Sequence, residues 1–331
     1  MIRLAMPVFV LVLGAAPAAA DLLIVLNKSD HQAALVDPTN HKVIAKLATG
    51  QGPHEVAVTP DGRWAFVANY GVSGVFGNGE RRNEPGNTLT VLDLKTRKVA
   101  RTIKLEGFSK PHGIQTSRDG SRIWVTSEAA QSVLEVDAKS GKVQSTWPTS
   151  QEISHMVVAT PDEKKLYVAN IGSGSVTIID RTSGNVRSVP TAAGAEGIDV
   201  SPDGREVWVT NRAANKVAVI DVATDAVVDT FASGGEFPIR AKFTPDGKQV
   251  FVSNARSNEV VVFDAATRTQ VGKVPVGVMP VGIQMDPSGR RAYVANTNDD
   301  KVTVIDVATR TVVTTFAPGK EPDGMAWAKK K

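Results

Sequence analysis

Hydrophobic positions along this chain come in short β-branched runs, each closed by Gly, Pro, Asn or Asp, and no stretch sustains a helical period. The turn Pro60-Asp61-Gly62 leads into Phe66-Val67-Ala68-Asn69. The same arrangement returns at Arg118-Asp119-Gly120, Pro161-Asp162-Glu163, Pro202-Asp203-Gly204, Pro245-Asp246-Gly247 and Pro287-Ser288-Gly289. The unit is about 42 residues long, and its first copy carries about 16 more. A later run in each copy ends in aspartate, at Asp93, Asp137, Asp180, Asp221, Asp264 and Asp306. A four-stranded sheet of this kind cannot bury both faces alone, so the copies must stack and close radially. The two chain ends supply the parts of one further copy. Pro322 to Trp327 reads as an innermost strand with nothing after it, and Leu23 to Asp37 reads as outer strands with nothing before them. The pattern therefore predicts an all-β fold: a seven-bladed β-propeller of four-stranded antiparallel blades, closed by the C-terminal strand pairing with the N-terminal blade.

The second run of each copy, read at Tyr167-Val168-Ala169-Asn170 and Trp208-Val209-Thr210-Asn211, resembles the YVTN-repeat seven-bladed β-propeller family. The likeness extends over the chain beyond its first residues. It implies an extracytoplasmic propeller, but not one activity. Such proteins include binding proteins, companions of quinoprotein and haem enzymes, lactonase-like and lyase-like enzymes, and a member associated with nucleic acid. A shared fold leaves that choice to the site.

Arg3 precedes an uncharged run from Leu4 to Ala20 that ends in three alanines, the pattern of a secretory signal with a small-residue cleavage site. The expected organisation is a signal peptide over residues 1–20 and a single propeller domain over residues 21–331, with a periplasmic location. No later run is apolar for long enough to span a bilayer. The chain has no cysteine, which removes disulfides, thiolate metal sites and thiol nucleophiles. A formal net charge of +4, scattered in both signs, is too mild for a dedicated nucleic-acid surface. The tryptophans at 64, 124, 208 and 327 fall within strands and read as blade packing rather than base-stacking platforms.

Function in a propeller usually sits where the innermost strands open the axial channel. One position at the start of that strand reads His54, His112, His155, Glu196, Ile239, Val281 and Asp323 through the copies, and so holds three of the five histidines. The next position reads Glu55, Gly113, Met156, Gly197, Arg240, Gly282 and Gly324. Glycine there suits close backbone packing about the axis or a ligand approaching the main chain. Antiparallel pairing brings the ends of the second strands to the same rim, predicting Asn69, Tyr70, Glu128, Asn170, Arg212, Asn254 and Asn296 beside it. The expected metal ligands are His54, His112 and His155 around a divalent ion. The expected ligand-binding groups are Glu55, Glu128, Glu196, Arg212, Arg240 and Asp323. A small anionic ligand held without metal, a periplasmic partner protein, and simple lining of the mouth by hydrogen-bonded imidazoles are the competing readings. As an enzyme, the most defensible class is lactone hydrolysis or elimination, with a metal or Arg240 polarising an oxyanion and His112 or His155 moving a proton. The segment Gly71 to Asn87 is expected to be a loop without strand pattern, either a lid or surface decoration.

Overall fold

The computed structural model describes residues 21–75 and 81–329; the leader expected over residues 1–20 lies outside the described residues. The described residues form seven four-stranded antiparallel sheets. The only helical element among them is one 3-10 turn, Thr297–Asp299. Six blades run outward in chain order, their innermost strands being Pro53–Val58, Pro111–Thr116, Ser154–Ala159, Ala195–Val200, Pro238–Phe243 and Pro280–Met285. They are blades 2 to 7. Blade 1 is composite: Pro322–Ala328 lies innermost and pairs with Leu22–Asn27, with Leu23 opposite Trp327 and Val25 opposite Met325. The ring closes as the sequence predicts.

Burial follows the radial order. The second strand of every blade is sandwiched between neighbouring sheets and nearly all of it is buried, as in Leu22–Asn27 and Arg122–Ser127, whereas the outermost strand alternates, as in Ala226–Ala232. This explains why the second strands carry the β-branched and aromatic runs. The core is divided among the blade interfaces; one such cluster joins Phe66, Leu89 and Val91 of blade 2 to Ile123, Val125 and Leu134 of blade 3. Trp124 and Trp208 are wholly buried, so their rings pack blades.

Two expectations need correction. Over its described residues, the segment from Gly71 to Asn87 is a continuation of the blade 2 hairpin: Trp64–Val75 and Arg81–Asp93 stay paired from Gly71 opposite Pro85 to Val75 opposite Arg81, past a register shift between Asn69 and Gly71, while residues 76–80 lie outside the described residues. Gly71 makes this possible, because it takes a φ of 98° and leaves no room for a Cβ against the Glu84 carbonyl. The asparagines at 69, 170, 254 and 296 do not face the mouth; all four are buried. Asn69 shows why. Its Oδ1 accepts the Gly50 N–H and its Nδ2 donates to the Thr88 and Thr90 hydroxyls, tying the second strand to the turn before the first.

The glycines next to the mouth position serve backbone packing. A Cβ on Gly324 would stand 2.1 Å from the His54 carbonyl oxygen, and one on Gly282 would stand 2.2 Å from that of Asp323. Gly324→Val is expected to cost about 2 to 3 kcal/mol through this clash at the closing seam. Urea unfolding monitored by tryptophan fluorescence checks it, and wild-type stability in the variant would show that the strands are not packed this closely.

Candidate functional site

At the start of each innermost strand the chain turns through a residue in the left-handed region. These are Gly52, Lys110, Ile153, Gly194, Phe237, Met279 and Glu321, with φ from 51° to 79°. Their carbonyls accept, in that order, the N–H of Tyr70, Glu128, Ile171, Arg212, Ala255, Thr297 and Lys28 at 2.8–3.1 Å. Each blade thus presents two neighbouring positions at one opening: the residue two after the turn and the residue that donates this bond. His54 stands with Tyr70, Glu196 with Arg212 and Asp323 with Lys28. Lys28 is the charged residue that sequence reasoning missed, with the apolar Phe237 and Met279. It follows Asn27 in the split blade as Tyr70 follows Asn69, and that correspondence could have found it.

The opening holds a cavity of about 520 Å³. Of the sequence-predicted residues, His54, Glu55, His112, His155, Glu196, Arg212, Arg240 and Asp323 line it, joined by Lys28, Tyr70, Met156, Phe237, Ile239, Met279 and Val281. Glu128 is not a lining residue and meets the site through His155 and Tyr70. The walls differ. Blades 1 to 5 give a polar arc, while blades 6 and 7 give an apolar one from Phe237, Ile239, Met279 and Val281. Phe237 lies between two guanidinium groups, with Arg212 at 5.2 Å and Arg256 at 4.2 Å from its ring centre.

Below the mouth position the bulky members of the next slot, Glu55, Met156 and Arg240, fall on alternate blades and meet across the channel. Arg240 of blade 6 reaches across the axis to pair with Glu55 of blade 2, and its Nη1 lies 3.3 Å from the Met156 sulfur of blade 4. These three residues also line a second chamber of about 320 Å³ on the far side. They form the floor of the mouth.

Each fixed charge in the mouth has a counter-charge. Lys28 Nζ lies 3.2 Å from Asp323, Arg212 Nη1 lies 2.8 Å from Glu196 Oε2, and Arg240 is paired with Glu55. Glu128 accepts the Tyr70 hydroxyl at 2.5 Å and holds His155 Nδ1 at 2.5 Å, while His155 Nε2 stands 3.7 Å from Glu196 Oε1. Burial would lower the pKa of His155, but the Glu128 and Glu196 carboxylates overcome it and raise the pKa above the ordinary value. Burial would likewise raise Glu128, and the His155 imidazole brings it below the carboxylate norm. His54 and His112 are different. Desolvation depresses both, His112 strongly, with neighbouring imidazoles adding to the effect there, so both are neutral at pH 7. His54 Nδ1 is 2.8 Å from the Gly52 carbonyl, whereas His112 Nδ1 is buried with no hydrogen-bond partner among the described residues. The ring centres of His54 and His112 are 5.1 Å apart, and those of His112 and His155 are 3.6 Å apart. Donor atoms of His112, Glu128 and His155 lie within 4.8 Å of one another, a spacing that could hold a metal ion.

Residues 179–270 match the family model described as lactonase, 7-bladed beta-propeller, and residues 84–217 match that described as esterase-like activity of phytase. A seven-bladed β-propeller protein of Mycobacterium tuberculosis is 25% identical over 158 residues, covering 46% of this chain and 40% of that one. Antigen Lp49 of Leptospira interrogans is 24% identical over 172 residues, covering 45% and 37%. The matches thus span well under half the length of these relatives. Among solved structures, hydrazine synthase of Kuenenia stuttgartiensis superposes with a TM-score of 0.73 at 23% identity, over 87% of this chain and 92% of that one. The periplasmic gluconolactonase of Pseudomonas aeruginosa superposes with a TM-score of 0.73 at 21% identity, over 94% and 99%. These likenesses are of fold. No helix among the described residues is long and apolar enough to cross a membrane.

The titration order of the imidazoles is a direct check. In chelator-treated protein, NMR should find His155 retaining its proton above the usual pH 6.5 and His54 and His112 losing theirs below it. Because the folded pKa of His155 is raised, its stabilisation is complete below about 6.5 and is lost as pH rises through the folded value. Because that of Glu128 is lowered, its stabilisation is present above about 4.3 and is lost as pH falls through the folded value. Glu128→Gln should therefore cost about 2 kcal/mol between those limits and less as the solution becomes alkaline. A deficit independent of pH would remove the ion pair from the account.

Proposed function

We propose that this chain is a YVTN-repeat propeller of the periplasm that binds a small, uncharged, ring-shaped ligand, of the class of sugars and sugar lactones, in its histidine-lined mouth. The observation that carries this reading is the internal pairing of Lys28, Arg212 and Arg240 with Asp323, Glu196 and Glu55. An anion entering the cavity must compete with a carboxylate already seated on each cation. A neutral ring, in contrast, can accept and donate hydrogen bonds along the polar arc and rest its carbon face on Phe237, Ile239, Met279 and Val281. The volume of about 520 Å³ suits a ligand of that size. The match of residues 179–270 to the lactonase model supports the ring class, and the leader pattern at residues 1–20 supports the location.

A second reading, hydrolysis of such a lactone, is favoured by one detail. Glu196 Oε1 and His155 Nε2 are 3.7 Å apart, close enough to share one water molecule. Burial raises the pKa of Glu196 toward that of a useful base. In this reaction the water oxygen bonds to the lactone carbonyl carbon while Glu196 takes its proton. The ring C–O bond then breaks and the proton passes to the departing alkoxide, leaving a hydroxy acid.

Calorimetric titration of chelator-treated protein with aldonolactones and the matching open-chain aldonates tests the ligand class. The lactones are expected to bind at least about tenfold more tightly, and His112→Ala to weaken them about tenfold. Tighter binding of the acids would overturn the reading. The hydrolytic reading predicts that Glu196→Gln lowers kcat at least about 100-fold while changing lactone affinity little. Mature protein recovered from the periplasm should begin at Asp21 by N-terminal sequencing.

A further inference from the structure

The three imidazoles of the mouth have a second property that ligand binding does not use. His54 and His155 each have Nδ1 engaged, by the Gly52 carbonyl and the Glu128 carboxylate respectively, which leaves Nε2 of His54 without an assigned role and Nε2 of His155 facing Glu196 Oε1 at 3.7 Å, beyond a hydrogen bond. His112, between them, keeps a buried Nδ1 with no hydrogen-bond partner among the described residues. Rings fixed at one nitrogen by a carbonyl or carboxylate, with the other nitrogen bare, are the ordinary arrangement of metal-bound histidines.

From this geometry we propose that the mouth holds a divalent transition-metal ion on His54, His112 and His155, with Glu128 as a positioning residue behind His155. The proposal rests on the mouth being the functional site. Two imidazoles bound to one ion at a tetrahedral angle have ring centres about 5 Å apart. His54 and His112 meet this at 5.1 Å, but the donor atoms that already lie within 4.8 Å of one another are those of His112, Glu128 and His155, so His54 must move in and His155 must draw back from its 3.6 Å separation from His112 for three imidazoles to share one ion. The 3.7 Å gap from His155 Nε2 to Glu196 Oε1 exceeds a hydrogen bond but matches two groups around one ion, so Glu196 sits where it can act as an oxygen ligand or meet a metal-bound water. Glu128 reaches His155 through Nδ1 at 2.5 Å, too close for both atoms to ligate the same ion, and its other oxygen is held by Tyr70. Its work is therefore to fix the ring and its tautomer. Three imidazoles select copper or zinc over manganese and calcium. Such an ion would supply a Lewis acid for a lactone carbonyl.

The test is calorimetric titration of metal-stripped, untagged protein with zinc, copper and manganese salts, without any organic ligand. Wild type is expected to bind one equivalent, with copper tighter than zinc and zinc much tighter than manganese. His112→Ala and His155→Ala should each weaken zinc at least about 100-fold, and Glu128→Gln about 10- to 100-fold. His41→Ala, a histidine stacked on Phe316 away from the mouth, should bind as wild type. Thermal unfolding of each stripped variant separates lost ligation from lost fold, and a zinc-induced rise in melting temperature should appear in full in wild type and His41→Ala, be smaller in Glu128→Gln and be absent from His112→Ala and His155→Ala. Wild-type zinc affinity in His112→Ala and His155→Ala, or no zinc binding below millimolar in wild type, overturns the proposal. Because the lactone titration uses chelated protein, failure there with normal zinc binding strikes the ligand class and leaves the metal site standing.

Discussion

One backbone hydrogen bond, repeated around the ring, sets up everything at the mouth. It runs from the N–H that follows the second strand to the carbonyl of a left-handed residue before the first. Five of the seven left-handed residues are not glycine, and each such turn costs about 1 kcal/mol or more. The bond it completes contributes a comparable amount. Because only main-chain atoms take part, the two side chains presented by each blade are free to differ. A near-symmetric scaffold can thus carry an asymmetric wall, with imidazoles on three successive blades and aliphatic groups on the last two.

Beneath that ring, chemistry is confined by size. Glycine on four inner strands lets adjacent backbones touch, and the space saved on those blades is filled by Glu55, Met156 and Arg240 from the others. A charged pair buried on the axis is a costly construction, and removing either partner leaves an uncompensated charge. Here it separates the mouth from the chamber below, and the histidines stand on the wall above that pair.

Much of this was legible from the repeat. The Pro-Asp-Gly turns fixed the blade count, the split ends fixed the closure, and the position holding His54, His112 and His155 fixed the opening. The asparagines were misread because their alignment with the rim was correct in sequence but their side chains turn inward to satisfy backbone groups such as the Gly50 N–H. The hairpin extension was misread because Gly71 and Gly86 look like loop residues until their close approach is seen. The pairing of Arg240 with Glu55 could not be read at all: nothing in a linear repeat states which blades face each other across an axis, or that a long side chain will span it.

The composite blade ties the closure of the ring to the mouth. Leu22–Asn27 has one edge satisfied by its neighbour Gln32–Asp37 and the other by Pro322–Ala328, a strand from the far end of the described residues. An edge left unpaired is a template for wrong partners, and the long-range contact that covers it also brings Asp323 to Lys28. Whatever parts those two strands therefore also takes apart one of the mouth's ion pairs.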